Sequence, residues 1–226
     1  RRAPCMPPGF WPTPDFEADR ARMVAEQLEA RDIVDRRVLD VMSRVPREAF
    51  IDDDDWKRAY EDMPLQIGWG QTISQPYMVA LIVQTADVRE GDLVLDIGTG
   101  SGYQAAVLSE LGREVHTVER LSALSEKAAD RLAAAGYDRV TVHHGDGSLG
   151  LPEHAPFDAI TVAAAAPGLP MTLYDQLVPG GRLVVPVGDR HGQRLELVVK
   201  SPEGPAVRRS VPCRFVPLVG DAGYGR

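Results

Sequence analysis

The stretch DLVLDIGTGSGYQAAVLSEL, residues 92–111, decides the fold. DLVLDI (92–97) is a short apolar run of β-branched and aliphatic residues, and YQAAVLSEL (103–111) carries apolar residues at helical spacing. Between them Gly98, Gly100 and Gly102 allow a tight turn and let a ligand approach backbone that side chains would otherwise shield. Outward from this unit the alternation continues with strand 114–119, helix 123–135, strand 139–144, strand 157–163, helix 171–177 and strand 182–187. Strand alternating with helix predicts an α/β fold with a mostly parallel sheet and right-handed crossovers. RLELVVK (194–200) and VPCRFVPLV (211–219), separated by the turn signal Ser201-Pro202-Glu203-Gly204, add two antiparallel strands at one side.

Upstream, YMVALIVQTADV (77–88) reads as an apolar helix, preceded by a loop punctuated by Gly68, Gly70 and Pro76. Met23, Val24, Gln27 and Leu28 share one face of a helix over 16–30, and Val38, Leu39, Val41 and Met42 mark a second that ends before Pro46. These form a helical cap. Asp52 to Asp55 read as a solvated loop whose acids suit the N-terminus of a following helix. Prolines at 4, 7, 8, 12 and 14 predict a disordered tail over 1–15, leaving 16–226 as one domain: 16–75 cap and substrate loop, 76–226 cofactor-binding core and C-terminal strands.

The formal charge of −8 opposes binding to nucleic acid or to a membrane surface, and no run approaches the length of an apolar span. Cys5 and Cys213 are far apart without CxxC spacing, and the opening lacks the apolar core of a signal peptide, so a cytoplasmic protein is expected. His143 and His144 are adjacent in a strand and face opposite ways, while His116, His154 and His191 stand alone, so no metal site is expected.

Two acids accompany the glycine loop. Glu119 ends the second strand of the alternation, where a carboxylate accepts both hydroxyl protons of a ribose lying across the strand tips. Asp146, between Gly145 and Gly147, follows the third strand and suits an adenine amino group, although Asp-Gly turns are also common without a ligand. Three sites at successive strand ends point to a cofactor of the adenosine kind. The dinucleotide fingerprint G-x-G-x-x-G would put its third glycine where Tyr103 stands, which counts against an NAD-dependent oxidoreductase.

The G-x-G-x-G spacing resembles the first motif of S-adenosylmethionine-dependent methyltransferases. More specifically, GWGQTISQPYMVA (68–80), LDIGTGSGYQAAVL (95–108), HGDGSLGLPEHAPFDAITVAAAAP (144–167), LVPGGRLVVPVG (177–188) and RFVPLVG (214–220) resemble the bacterial protein-L-isoaspartate O-methyltransferase family over about residues 20–220. The resemblance implies a Rossmann-like methyltransferase fold and methyl transfer from S-adenosylmethionine to the free α-carboxylate of isoaspartyl residues in damaged proteins or peptides, which begins repair. It implies Ser74 as the active-site residue, with Ile73, Ala164 and Val216 on the substrate side. Pro76, Tyr77, Met78 and Val79 would lie along the cofactor, together with Gly98, Gly100, Gly102, Glu119, Arg120, Asp146 and Gly147. Val216 backbone would pair with the substrate main chain.

The residues agree with this chemistry, since a carboxylate is ionised at neutral pH and attacks a sulfonium methyl without a general base or metal. From the residues alone a cap on the helix starting near Pro76 leads for Ser74, an order that the family resemblance reverses, and Met78 suits a core position nearly as well. Two other readings stay open: a specialised relative that methylates an aspartate in a dedicated peptide, and a non-catalytic cofactor-binding module. A monomer is expected. The proline-rich tail and Val219, where some relatives carry a polar residue, depart from the family pattern.

Overall fold

The computed structural model describes residues 14–225. The expected proline-rich tail falls outside them except for Pro14 and Asp15, and Asp15 already belongs to the fold: its carboxylate accepts the Ala18 N–H at 3.0 Å. It caps α1 (Phe16–Arg22), which runs on as a wider π-helical turn through Met23–Glu29. α2 (Arg36–Met42) follows, and Met23, Leu28, Val38, Leu39, Val41 and Met42 are buried as their spacing predicts. The acidic run opens the 3-10 turn Asp53–Arg58, and Asp52 pairs with Lys127 and Arg131, tying the cap to the core.

Residues 65–73 correct the sequence reading. Instead of a loop they form the hairpin β1 (Leu65–Gly68) and β2 (Gln71–Ile73). Its two-residue turn, Trp69 and Gly70, holds φ of 51° and 70°, the pair of positive values that matches the twist of antiparallel strands. α3 (Pro76–Ala86) then leads into the alternation: β3 (Leu93–Ile97), α4 (Tyr103–Ser109), β4 (Glu114–Glu119), α5 (Ser122–Ala134), β5 (Val140–His144), β6 (Phe157–Val162), α6 (Met171–Asp175), β7 (Leu177–Asp189), β8 (Gly192–Ser201) and β9 (Gly204–Cys213).

The large sheet has the order β5-β4-β3-β6-β7-β8-β9, parallel from β5 to β7 and antiparallel through β8 and β9. From β3 the chain works outward through β4 to β5, then returns to lay β6 on the other side of β3. That reversal parts the connections above the C-terminal ends of β3 and β6 and opens a crevice there. Both sheet faces are covered, which is why β3 and β6 are almost continuously apolar.

The last strand is a second correction. The turn after Ser201 is as read, but β9 begins directly at Gly204, whose φ is 109°, and pairs back in step from Ser201 opposite Gly204 to Glu196 opposite Arg209, beyond which the register shifts at a bulge. Residues 214–219 therefore leave the sheet edge. They lie beside the end of β6, where the Ala165 N–H donates to the Val216 carbonyl and the Leu218 N–H to the Ala165 carbonyl, both at 2.8 Å.

A third correction concerns the histidines. β4 and β5 pair with His116 opposite Thr141 and Val118 opposite His143, so His116 and His143 share a face, and the turn Pro152–His154 brings His154 onto them.

Candidate active site

The crevice above β3 and β6 is a cleft enclosing about 790 Å³, solvent at its mouth included. The glycine loop forms its floor. Gly98, Gly100 and Gly102 hold φ of 91°, 54° and 93°, values that a side chain would oppose. The loop is pinned from both sides: the Gly98 N–H donates to the Val118 carbonyl at 2.9 Å, and the Gly102 N–H closes a turn on the Thr99 carbonyl at 2.8 Å.

Beneath the loop Asp96 is fully buried. It accepts from Gln104 and Thr161 at 2.7 Å each and from Thr117 at 3.3 Å, and Thr117 in turn bonds the Thr99 hydroxyl at 2.7 Å. Burial pushes the Asp96 carboxyl up to about 6, against the opposing pull of these donors. The sequence reading gave Asp96 no role. The signal was an acid inside an otherwise apolar strand, a residue type that enters a core only with partners.

Glu119 stands at the tip of β4 and is only 6% exposed. One oxygen accepts the Gly100 N–H and the other the Leu121 N–H, each at 3.0 Å. The carboxylate is thus fixed before any ligand arrives, with one lone-pair direction left on each oxygen. That donor-poor, acceptor-rich pair lining the cleft suits the two neighbouring hydroxyls of a ribose, so the residues present fit an adenosine-type cofactor.

Of the residues singled out from the sequence, Ile73, Ser74, Val79, Gly98, Gly100, Glu119, Arg120, Gly147, Ala164 and Val216 line this cleft. A Cβ on Gly147 would come within 2.7 Å of Ile97 Cγ2, which explains the glycine. Gly102 lies behind the floor, facing Leu132. Pro76 and Tyr77 are buried outside the cleft lining; the Tyr77 hydroxyl donates to Asp32 at 2.7 Å and its ring stacks under Arg31. Asp146 lines an adjoining recess with Arg120, His144, Gly145 and Val219. Its carboxylate accepts the Ser148 N–H and hydroxyl and the Asp221 N–H, so the common Asp-Gly turn is realised there.

Ser74 bridges the cleft and a second groove lined by Pro64, Thr72, Gln75, Met78, Ala163, Arg214, Phe215 and Val216. The cap that the sequence allowed for Ser74 does not form: Gln75 is the residue before α3 and its side chain makes no capping bond, while the Tyr77 N–H of the first turn goes to Asp62 at 3.4 Å. Met78 faces the groove rather than the cleft. The exposed Arg214 is the groove's cation and was missed, since it follows β9 at a position that shows its neighbours only once 214–219 has folded back.

A family model described as Protein-L-isoaspartate(D-aspartate) O-methyltransferase (PCMT) matches residues 18–223. This chain belongs to the protein-L-isoaspartate O-methyltransferase family. A relative of that name from Synechococcus sp. (strain JA-2-3B'a(2-13)) is 49% identical over 96% of this chain and 94% of its own length. One from Hyperthermus butylicus is 49% identical over 92% of each chain. Among solved structures, a protein-L-isoaspartate O-methyltransferase superposes with a TM-score of 0.79 at 29% identity, covering 87% of this chain and 65% of its own. A second, from Plasmodium falciparum and in complex with S-adenosyl-L-homocysteine, gives 0.75 at 26%, covering 87% and 96%. The isoaspartate methyltransferase fold, an α/β sheet with antiparallel C-terminal strands, is therefore the fold of this chain.

Proposed function

We propose that this chain transfers a methyl group from S-adenosylmethionine to the free α-carboxylate of L-isoaspartyl residues in damaged proteins and peptides, with Ser74 holding the acceptor. The observation that carries the reading is the position of Ser74, whose hydroxyl, next to that of Thr72, lies where the cofactor-sized cleft meets the groove beside it. S-adenosylmethionine, when bound, supplies an electrophilic methyl on a sulfonium. Glu119 would hold the ribose, the glycine loop with Gly147 and Arg120 would flank the rest, and Val79 would pack against it.

On the acceptor side the Ser74 hydroxyl donates to one carboxylate oxygen and leaves the other to attack. Arg214 attracts the negatively charged substrate and is exposed enough to do so as it arrives. The Val216 carbonyl is already taken by Ala165, and Gln193 holds both the N–H and the carbonyl of Phe215, so a substrate main chain would engage 214–219 only through the backbone groups these bonds leave. Ala163 and Ala164 leave room for it at the tip of β6. Holding donor and acceptor in line supplies much of the rate, since orientation alone is worth ~7–11 kcal/mol. The methyl ester then loses methanol as the following backbone nitrogen attacks its carbonyl. The resulting succinimide hydrolyses in part to normal aspartate, so Asp restoration needs no further residue of this chain.

The proposal places the enzyme in the cytoplasm as a monomer; the charge of −8, which keeps copies apart, supports the second part. No helix of the described residues is long and apolar enough to cross a membrane. Methyl transfer from labelled S-adenosylmethionine to matched isoaspartyl and aspartyl peptides tests the reading. Methylation of aspartate alone in one dedicated peptide would favour the specialised relative, and cofactor binding without transfer a non-catalytic module.

A further inference from the structure

Three imidazoles gather at the β5 edge of the sheet, away from the cleft and unused by methyl transfer. His116 comes from β4, His143 from β5 and His154 from the short turn before β6. His116 Nδ1 and His143 Nε2 are 2.9 Å apart, the rings of His116 and His154 lie with centroids 4.2 Å apart and planes tilted by 35°, and one ring nitrogen of each residue lies within 4.8 Å of the other two. We propose that His116, His143 and His154 form a binding site for a divalent transition metal of the zinc class, which braces β4 and β5 against the connection to β6.

Imidazole nitrogens are the commonest ligands of such ions, and three of them with an open fourth position make a complete donor set. Two nitrogens on one tetrahedral zinc at ~2.0–2.1 Å stand about 3.4 Å apart. The closest pair therefore opens by about half an ångström while the third nitrogen moves in. His154 is free to make that move, being exposed on a three-residue turn, whereas His116 is 5% exposed and fixed in its strand.

Two further observations support the assignment. Glu114 Oε1 lies 3.3 Å from His116 Nε2, the nitrogen turned away from His143. A carboxylate on the outer nitrogen holds the proton there, leaves Nδ1 bare for a metal and raises its basicity. Glu153, next to His154, acts electrostatically on both His116 and His143 in the sense that favours positive charge there. Burial, together with His154, disfavours the charged form of both imidazoles.

The site also has a structural consequence. β4 ends in Glu119, and β5 leads into Gly145-Asp146-Gly147 beside the cleft. A metal across β4, β5 and the turn would fix the end of the sheet that carries these residues without touching the reacting groups.

The test uses the full chain, cleared of metal with a chelator and titrated with Zn2+ by calorimetry and with Co2+ by visible absorption. The expected result is one ion bound per chain, with the d–d bands of low-coordinate Co2+ and a Tm raised by about 5 °C or more at zinc ~100-fold above Kd. His154→Ala and His143→Gln should each weaken zinc binding at least about tenfold and cut the Tm rise at the same zinc concentration to about half or less, while S-adenosylhomocysteine affinity stays within about twofold. Absence of binding at millimolar zinc would leave a hydrogen-bonded imidazole stack and overturn the proposal. Wild-type zinc affinity in both variants would do the same by placing the ion elsewhere on the chain. If one variant fails to fold, the Co2+ spectrum of the other decides.

Discussion

Removing the Glu119 carboxylate should cripple cofactor binding, and the structure allows the size of the effect to be worked out. Each carboxylate oxygen accepts one backbone N–H, from Gly100 and Leu121, and keeps one lone-pair direction for the cleft. The side chain is 6% exposed, so water competes weakly for those two directions. A hydrogen bond to a charged group contributes ~1.5–3 kcal/mol, and Glu119→Ala deletes two toward the ribose while freeing two loop donors that water can reach. Loss of even one bond's worth predicts S-adenosylhomocysteine affinity lower by about 10- to 150-fold. Glu119→Gln should fall almost as far, because its amide turns a donor toward either Gly100 or Leu121. Calorimetric titration of the wild type and both variants, with thermal melts to confirm folding, measures this. Affinity within about twofold of wild type in a folded Glu119→Ala protein would refute the assignment of Glu119 to the ribose.

Two other perturbations separate roles within the site. Ser74→Ala should lower kcat by about 10- to 100-fold through the lost hydrogen bond to a charged acceptor, with cofactor affinity unchanged and Tm nearly so, since no helix cap is lost; initial rates beside melts check it. Asp96 gives a pH signature: its folded carboxyl titrates at about 6 against 3.8 unfolded, so the folded state holds the proton more tightly. That stability is complete below the unfolded pKa and is lost as pH rises through the folded one, by ~3 kcal/mol between pH about 4 and 6. Asp96→Asn should flatten this slope in urea unfolding series run across that range, and an unaltered slope would assign it to other groups.

The parts of the fold legible in the sequence are those fixed by local spacing. Gly98, Gly100 and Gly102 between an apolar strand and a helix could form only this turn, and the alternation after it dictated a parallel sheet. β1 and β2 escaped because they are only four and three residues long, and their glycines read as loop rather than hairpin. The start of β9 escaped because Gly204-Pro205 reads as turn, although an edge strand tolerates proline. Within the site, Glu119 was legible from its place at a strand end. Asp146 was not settled, because the same Asp-Gly sequence serves a ligand or a turn, and its carboxylate is shared by the neighbouring Ser148 and by Asp221, 75 residues away. Ser74 followed the same logic in reverse: local sequence favoured a cap, and only the fold showed the first-turn Tyr77 N–H turned to Asp62 instead and Ser74 lining two cavities. The histidine trio depended wholly on register, since nothing in positions 116, 143 and 154 announces that two strands and a turn will bring them together.

The central claim is that this site reads the backbone connectivity of isoaspartate. In an isoaspartyl linkage the main chain passes through the side-chain methylene and the free carboxylate hangs on Cα, whereas in aspartate the carboxylate stands one methylene further from the backbone. With the peptide held along 214–219 and its carboxylate on Ser74, the two acceptors meet the methyl at positions about a bond length apart, and ~1 Å of misplacement costs ~10²-fold. The measurement is kcat/KM for labelled methyl transfer to two peptides that differ only in this linkage, with mass spectrometry following the gain of one CH2 and the later loss of methanol. The account predicts a preference of at least about 100-fold for the isoaspartyl peptide. Equal rates on the two peptides would contradict it.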